Sequence, residues 1–360
     1  MVLEACPVCG LGDHLRDIGM IEGTETGAIA AVCVDCQLGF FRRRPRPEWF
    51  DRYYEEEWDT EGQESLPARQ PRPRTKVADF CAPHLPEGAT VLDMGAGFGR
   101  DLLAFAERGF RVLGLERSHH RARFVEERLG IPCAAAPLER YRSPEPPHLA
   151  FLNHVFEHVD DPGRVLEHSH QLLPEGGLVY IAVPNLWAEH PPQTFHFVPH
   201  LFSYTARALG RLLARHGFRV LRVESDQDVQ VLAAKDPSVR LEDGELPGEP
   251  GPEEFWRRVE AWAERGLGEP GGDRVLVWHD LKGGETKYES QVLHLGRVRY
   301  AMLRRLASSE APGAGRYLGR RAPDFMSARN LKMLPVRVRG DGDLPIRMSY
   351  PGQLPPVWIK

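Results

Sequence analysis

The chain has 360 residues, 42% hydrophobic and 27% charged, with a formal charge of −5, which suits a soluble globular protein of one main domain plus additions. No run of about 18 apolar residues occurs, which argues against a membrane-spanning helix, and the net negative charge offers no overall attraction to nucleic acid or acidic membranes. The opening residues MVLEACPVCG lack the basic and apolar regions of a secretory signal, and six cysteines in a chain this long fit a reducing cytoplasm.

Four cysteines come first, as Cys6-Pro-Val-Cys9 and Cys33-Val-Asp-Cys36, with 23 residues between the pairs. Each C-x2-C turn lets two thiolates converge, and two such turns close a tetrahedral shell. Gly10 and Gly39 suit the tight knuckles, and "AIAAVCV" reads as a strand entering the second one. Two local disulfides or a redox pair would not explain the doubled motif. A structural Zn2+ held by Cys6, Cys9, Cys33 and Cys36 is the expectation, with no open position for catalysis. Cys81 and Cys133 read as small buried apolar residues.

After the knuckles, "FFRRRPRPEWFDRYYEEEW" should be extended through Pro-Arg-Pro and then form a short helix with an aromatic face. Residues 66–74, "LPARQPRPR", form a connector, and "TKVADFCAPHL" is an amphipathic helix ending before Pro86.

The next stretch, "ATVLDMGAGFGRDLLAFAERGFRVLGLERS", is strand, glycine loop, helix, strand. Its loop reads Asp93-Met-Gly95-Ala96-Gly97-Phe-Gly99, and the second strand ends on Glu116 followed by Arg117. Glycines let a ligand touch the main chain, and a carboxylate at the position of Glu116 can accept both hydroxyls of a ribose. A pyrophosphate-gripping loop would read G-x-G-x-x-G. Here the spacing is G-x-G-x-G, and an acid two residues before it suits a cation, such as the amino group of a methionine moiety. The loop and its acid resemble motif I of class I S-adenosylmethionine-dependent methyltransferases.

Further on, "RARFVEERLG" reads as a helix, "IPCAAAPLERY" as a short strand with its exit loop, and "HLAFLNHV" as a buried strand. "DPGRVLEHSHQLLPEGG" is a helix with Asp161 as N-cap and Pro162 at N1, and "GLVYIAVPN" is another strand. The order of these segments through "PHLFSYTARALGRLLARHGFRV" is similar to the type 11, 12 and 23 methyltransferases. More narrowly it resembles the bacterial branch with an N-terminal four-cysteine ribbon, over residues 1 to about 235. "FRVLRVES" and "VQVLAAKD" complete the strands.

The resemblance implies an α/β fold, a Rossmann-like seven-stranded doubly wound methyltransferase sheet with an N-terminal zinc ribbon and a C-terminal α+β extension. The expected divisions are 1–45 for the ribbon, 46–88 for a helical Pro-Arg linker, 89–235 for the methyltransferase domain and 236–360 for an unrecognised extension. It implies S-adenosyl-L-methionine as cofactor, with Asp93, Gly95, Ala96, Gly97 and Gly99 around the methionine part. Glu116 would lie at the ribose, Leu138 against the adenine and Asn153 at the rim near the sulfonium, with Arg117 a further cofactor-binding candidate. Where many relatives bind the adenine amine with an acid, this chain has Ala135, Ala136 and Pro137.

"NHVFEHV" follows the fourth strand, at the carboxyl edge where ligands bind in such folds. His154, Glu157 and His158 have i, i+3, i+4 spacing, so one helical turn would align them, and His190, His196 and His200 lie on the loop after strand five. Three readings stand: an imidazole among His154, His158, His196 and His200 as general base toward an acceptor hydroxyl; a divalent ion bound by the cluster; or a structural cap. The resemblance also marks Tyr53 and Tyr54 as acceptor-pocket candidates.

In the last third, residues 241–273 hold ten acids against three arginines, and 301–360 eleven bases against four acids. "DPSVRLEDGELPGEPGPE" is an acidic linker, "EEFWRRVEAWAERGL" a helix, "DRVLVWHDL" a strand and "PVRVRGDGDLPIRMSYP" a hairpin. The functional expectation is methyl transfer to a small-molecule acceptor, a hydroxyl of a sugar, polysaccharide precursor or secondary metabolite. An RNA or rRNA methyltransferase using ribbon and basic tail, or a non-catalytic binding module, are the alternatives. The base-methylating motif [DN]-P-P-[YF] is replaced by "NHVFEH", which disfavours the nucleic-acid partner.

Overall fold

A computed structural model describes residues 2–22, 28–44, 71–187, 200–244, 246, 250–267, 274–279, 289–294, 334–341 and 344–349. Strands β1 (Leu15–Glu22), β2 (Ala28–Cys33) and β3 (Leu38–Arg43) form an antiparallel meander beside the two cysteine pairs. Helix α1 (Lys76–Cys81) follows, then β4 (Thr90–Asp93), α2 (Arg100–Ala106), β5 (Arg111–Glu116), α3 (His119–Phe124), β6 (Cys133–Ala135) and β7 (Leu149–Asn153). Next come α4 (Pro162–Leu172), β8 (Leu178–Pro184), β9 (Phe202–Ser203), α5 (Ala206–Arg215), β10 (Phe218–Ser225) and β11 (Asp228–Lys235).

One sheet has the order β10-β11-β8-β7-β4-β5-β6. Only β11 is antiparallel to its neighbours; the pairs among β6, β5, β4, β7 and β8 are parallel. Parallel strands covered on both faces need continuous apolar sequence, and "TVLD", "LAFLN" and "LVYIAVP" supply it. Alternate residues feed two cores. Val91, Leu149, Phe151 and Tyr180 join Val77, Phe80, Leu102 and Phe105 on one face. Leu92, Ala150, Leu152, Val179 and Ile181 join Val165, Leu166, Leu209 and Leu212 on the other. The strand order reverses between β4 and β7, which opens a crevice beyond their carboxyl ends.

Asp161 accepts from Arg164 N at 3.1 Å with Pro162 at the first helical position, as the sequence suggests. "RARFVEERLG" departs from regular helix: α3 gives way to a wider turn over Val125–Leu129 before Gly130. That turn presses Leu129 against the glycine loop, where a Cβ on Gly99 would lie 2.6 Å from Leu129 Cδ1. Cys81 and Cys133 are buried.

The second sheet contains a finding the periodicity did not announce. Helix α6 (Pro252–Leu267) is followed by β12 (Arg274–His279), β13 (Glu289–His294), β14 (Leu334–Asp341) and β15 (Leu344–Ser349). β14 and β15 form the expected antiparallel pair, and β15 runs parallel to β1, with Met20 opposite Arg347. The order is β13-β12-β14-β15-β1-β2-β3-β9. The last strand, β9, comes from the loop after β8, so the cysteine-bearing sheet reaches the crevice. No helix among the described residues is long and apolar enough to cross a membrane. The segment "PEWFDRYYEEEW" with Tyr53 and Tyr54, and His190 and His196, lie outside the described residues.

Candidate functional site

β4 ends on Asp93 and turns directly into the glycine loop. Gly97 and Gly99 have φ of +53° and +72°, a region that side chains disfavour. Gly95 is needed for a different reason: a Cβ there would sit 2.2 Å from Val155 Cγ2. At Gly97 a Cβ would meet nothing within 4 Å, so this backbone faces open space. The Gly97 N–H donates to Glu116 Oε2 at 2.8 Å, and the Ser118 N–H to Oε1 at 3.0 Å. The carboxylate at the end of β5 is thus oriented beside the loop, each oxygen keeping a lone pair for a hydroxyl.

Asp93 is 2% exposed, and its Oδ1 has no hydrogen-bond partner among the described residues. Burial, then the neighbouring Asp101 and Glu116 carboxylates, push its pKa well above the ordinary value, with Arg74 opposing. A buried carboxyl with one oxygen free at the head of an open loop fits the ammonium of a methionine moiety, so the residues present suit S-adenosylmethionine.

Two residues here escaped the sequence reading. Asp101, in the first turn of α2, is paired with Arg74, whose Nε donates to Oδ1 at 2.8 Å. Asn153 Nδ2 donates to Asp101 Oδ2 at 3.0 Å, so the rim asparagine is tied to this pair. An acid in a first helical turn is ordinarily a dipole partner, and Arg74 lies in an arginine-rich connector, so neither stood out. Across the crevice, Ala136 N–H donates to Glu116 O at 3.2 Å. Half-buried Leu138 starts a short 3₁₀ turn, and Arg117 is exposed.

Beyond β7 the chain turns sharply. His154 has φ +56°, rare for a residue with a side chain, and its N–H donates to Ala182 O at 2.9 Å. The expected helical turn is a 3₁₀ turn, Phe156–His158, with His154 before it. Glu157 is nonetheless the hub of the three candidate histidines that are described: its Oε1 lies 3.6 Å from His154 Nδ1, 3.8 Å from His158 Nε2 and 4.0 Å from His200 Nε2. His158 and His200 meet edge to face at 4.6 Å. His154 Nε2 faces Asp228 Oδ2 at 3.6 Å, and Lys76 Nζ holds the same oxygen at 2.8 Å. Asp228, at the start of β11, had no local signal.

These charges sort the groups. For Glu157, burial favours the neutral acid, but His154, His158 and His200 outweigh it and lower its pKa to about 2. For His154, burial is likewise outweighed by Asp228 and Glu157, and the value rises to about 10. Burial, with the neighbouring His158, lowers His200 to about 3. Tyr204, fully buried, stacks on Phe156 at 5.5 Å.

Cys6, Cys9, Cys33 and Cys36 place their sulfurs within 4.8 Å of one another. Val8 N donates to Cys6 Sγ and Cys36 N to Cys33 Sγ, both at 3.4 Å. Hydrogen bonds from Cys36 and Cys6 favour the Cys33 thiolate, and donating them raises Cys6 and Cys36. Gly10, at φ +77°, serves the first knuckle as expected. In the second, Gln37 takes the left-handed position at φ +61°, while Gly39 lies within β3.

Residues 66–223 match the family model described as a methyltransferase domain. The chain is 24% identical over 249 residues to the C-methyltransferase NovU of Streptomyces niveus, covering 62% of this chain and 58% of that protein. It is 31% identical over 106 residues to the ubiquinone biosynthesis O-methyltransferase of Caulobacter vibrioides, covering 28% and 42%. It therefore spans about half the length of these curated relatives. Among solved structures, the 1,6-didemethyltoxoflavin-N1-methyltransferase of Burkholderia thailandensis aligns with a TM-score of 0.43 at 20% identity, over 56% of this chain and 97% of that one. Residues 66–223 thus match a methyltransferase domain, and the strand order with a single reversed strand and the acid-headed glycine loop fit the Rossmann-like methyltransferase fold.

Proposed function

We propose that the protein moves a methyl group from S-adenosylmethionine to a small acceptor, a hydroxyl of a sugar, polysaccharide precursor or secondary metabolite. The observation that carries the donor half is the buried Asp93 carboxyl, with one oxygen left without a partner, beside the open face of Gly97. When bound, the donor supplies an electrophilic sulfonium methyl. Asp93 would hold its amino group and Glu116 its ribose, with Gly95, Ala96, Gly97 and Gly99 giving close main-chain approach, Arg117 and Leu138 at the nucleoside and Asn153 at the rim. Holding donor and acceptor in line supplies much of the rate.

The acceptor half is the Glu157 cluster. His154, with a carboxylate at each ring nitrogen, stays protonated near neutral pH and serves as counter-charge for Glu157. His158 is then the base positioned to take the acceptor's proton; His200, its pKa lowered to about 3, and His196 are the further candidates, His200 the weaker base. Named relatives acting at carbon, oxygen and nitrogen support a methyl transfer without fixing the atom. A second reading, a divalent ion, is favoured by Glu157, His158 and His200 converging within 4.8 Å. It predicts Mn2+ binding that His200→Ala removes. The cysteine cluster, we infer, holds structural Zn2+, since four converging thiolates require a cation to stay ionised together.

Titration calorimetry tests the donor assignment. S-adenosylhomocysteine should bind and NAD should not, and Asp93→Ala should abolish the heat. Binding of NAD with indifference to S-adenosylhomocysteine would remove the enzyme described here.

A further inference from the structure

Arg44 is the residue at which the cysteine-bearing strands and the histidine cluster meet. It follows β3, is 1% exposed and remains a cation at neutral pH, burial lowering its pKa only to about 10. Its Nε donates to Phe41 O at 3.0 Å within its own strand end. Its Nη1 donates to Asp160 O at 2.8 Å, two residues beyond His158. Its guanidinium lies over the Phe202 ring, 4.5 Å from the centroid, two residues beyond His200. One side chain thus contacts three separate pieces of chain, two of which carry a histidine facing Glu157.

Neighbouring contacts run the same way. Phe41 N donates to Leu201 O at 3.1 Å, and Phe40 pairs with Phe202 across β3 and β9. The charges of both Arg44 and Glu157 reach the buried Tyr204 hydroxyl. A guanidinium can serve these partners at once because its donors form a rigid fork and its face stacks on a ring. Lysine or an apolar residue would keep one of these contacts at most.

We infer that Arg44 is a positioning residue through which the ribbon sets the separation of His158 and His200 around Glu157. This deepens the acceptor-site reading and rests on it for its functional meaning, while the spatial claim can be judged alone. The experiment compares full-length wild type, Arg44→Met and Phe202→Leu by side-chain ¹⁵N spectra of the histidines, amide exchange and S-adenosylhomocysteine calorimetry. In Arg44→Met the His158 and His200 signals should shift, and the amides of 201–204 should exchange roughly fivefold faster or more, the scale of one lost hydrogen bond. Donor affinity should match wild type, because Asp93 and the glycine loop lie elsewhere. Unchanged histidine signals and exchange would overturn the inference. If Arg44→Met does not fold, Phe202→Leu, a swap of one apolar side chain for another, decides: the same signals shift or the idea fails. Should wild type itself ignore S-adenosylhomocysteine, the donor assignment falls while the histidine spectra still judge Arg44.

Discussion

Asp93 bears a carboxyl whose proton the donor-free fold holds more tightly than water does and that an ammonium ligand needs charged. Its pKa lies above the ordinary 3.8 chiefly through burial, so the folded protein retains a proton that the unfolded chain releases. Stability contributed by this group therefore declines as pH rises from its ordinary value toward the raised one. Asp93→Asn should raise the melting temperature of the donor-free protein at neutral pH by roughly 2–4 °C, about 1 kcal/mol, while abolishing donor binding. Calorimetry in buffers of different ionisation enthalpy should show proton release on donor binding to wild type below the raised value. His154 has the same pH slope for a different reason, its charged form being the favoured one. Its folded value rises from 6.5 to about 10, so its contribution is complete below pH 6.5 and disappears as pH climbs through 10. The melting-temperature deficit of His154→Gln should narrow over that window, and a deficit independent of pH would show that packing alone is involved.

At the scale of the element, the glycine loop separates two demands that the motif alone blends. Gly97→Ala meets no neighbour but strains a left-handed backbone and fills the open face. It should leave a folded protein, destabilised by about 1 kcal/mol, with donor affinity reduced at least tenfold by calorimetry. Gly95→Ala drives a methyl into Val155, next to the Phe156–His158 turn, so it should disturb donor and histidine sites together. Adding Val155→Ala should recover part of the loss. Persistence of the full defect in the double variant would mean that Gly95 serves the ligand and not the neighbouring chain. The loop, its strand and Glu116 were readable because local chemistry dictates them: buried parallel strands demand apolar runs, and the acid ends one. Asn153's bond to Asp101 was not, nor was Asp228 opposite His154. Both arise when strands distant in sequence are laid side by side, and no periodicity in either strand encodes the neighbour.

For the whole molecule, the cysteine pairs pointed to a clustered module but not to where it would dock. Asp35, inside the second knuckle, accepts from Arg211 Nη1 at 2.8 Å through its carboxylate and from Arg207 Nε at 3.1 Å through its carbonyl. Gln37 O accepts from Thr205 Oγ1 at 3.0 Å, and the same hydroxyl caps α5 by accepting from Ala208 N at 3.1 Å. The knuckle therefore braces the start of α5 and, through β3, the strand β9 that follows His200. Asp93, Gly97 and Glu116 make no contact of this kind with it among the described residues. Because thiolate shells are commonly the main folding energy of such small modules, the proposed Zn2+ predicts that a chelator should release the knuckle and its braces together. Amides of 200–215 should lose exchange protection while S-adenosylhomocysteine still binds, and restoring Zn2+ should bring the protection back. If donor binding and protection vanish in one step, the cysteine module belongs to the donor domain's own cooperative core, and the division into a donor half and a ribbon-braced acceptor half is wrong.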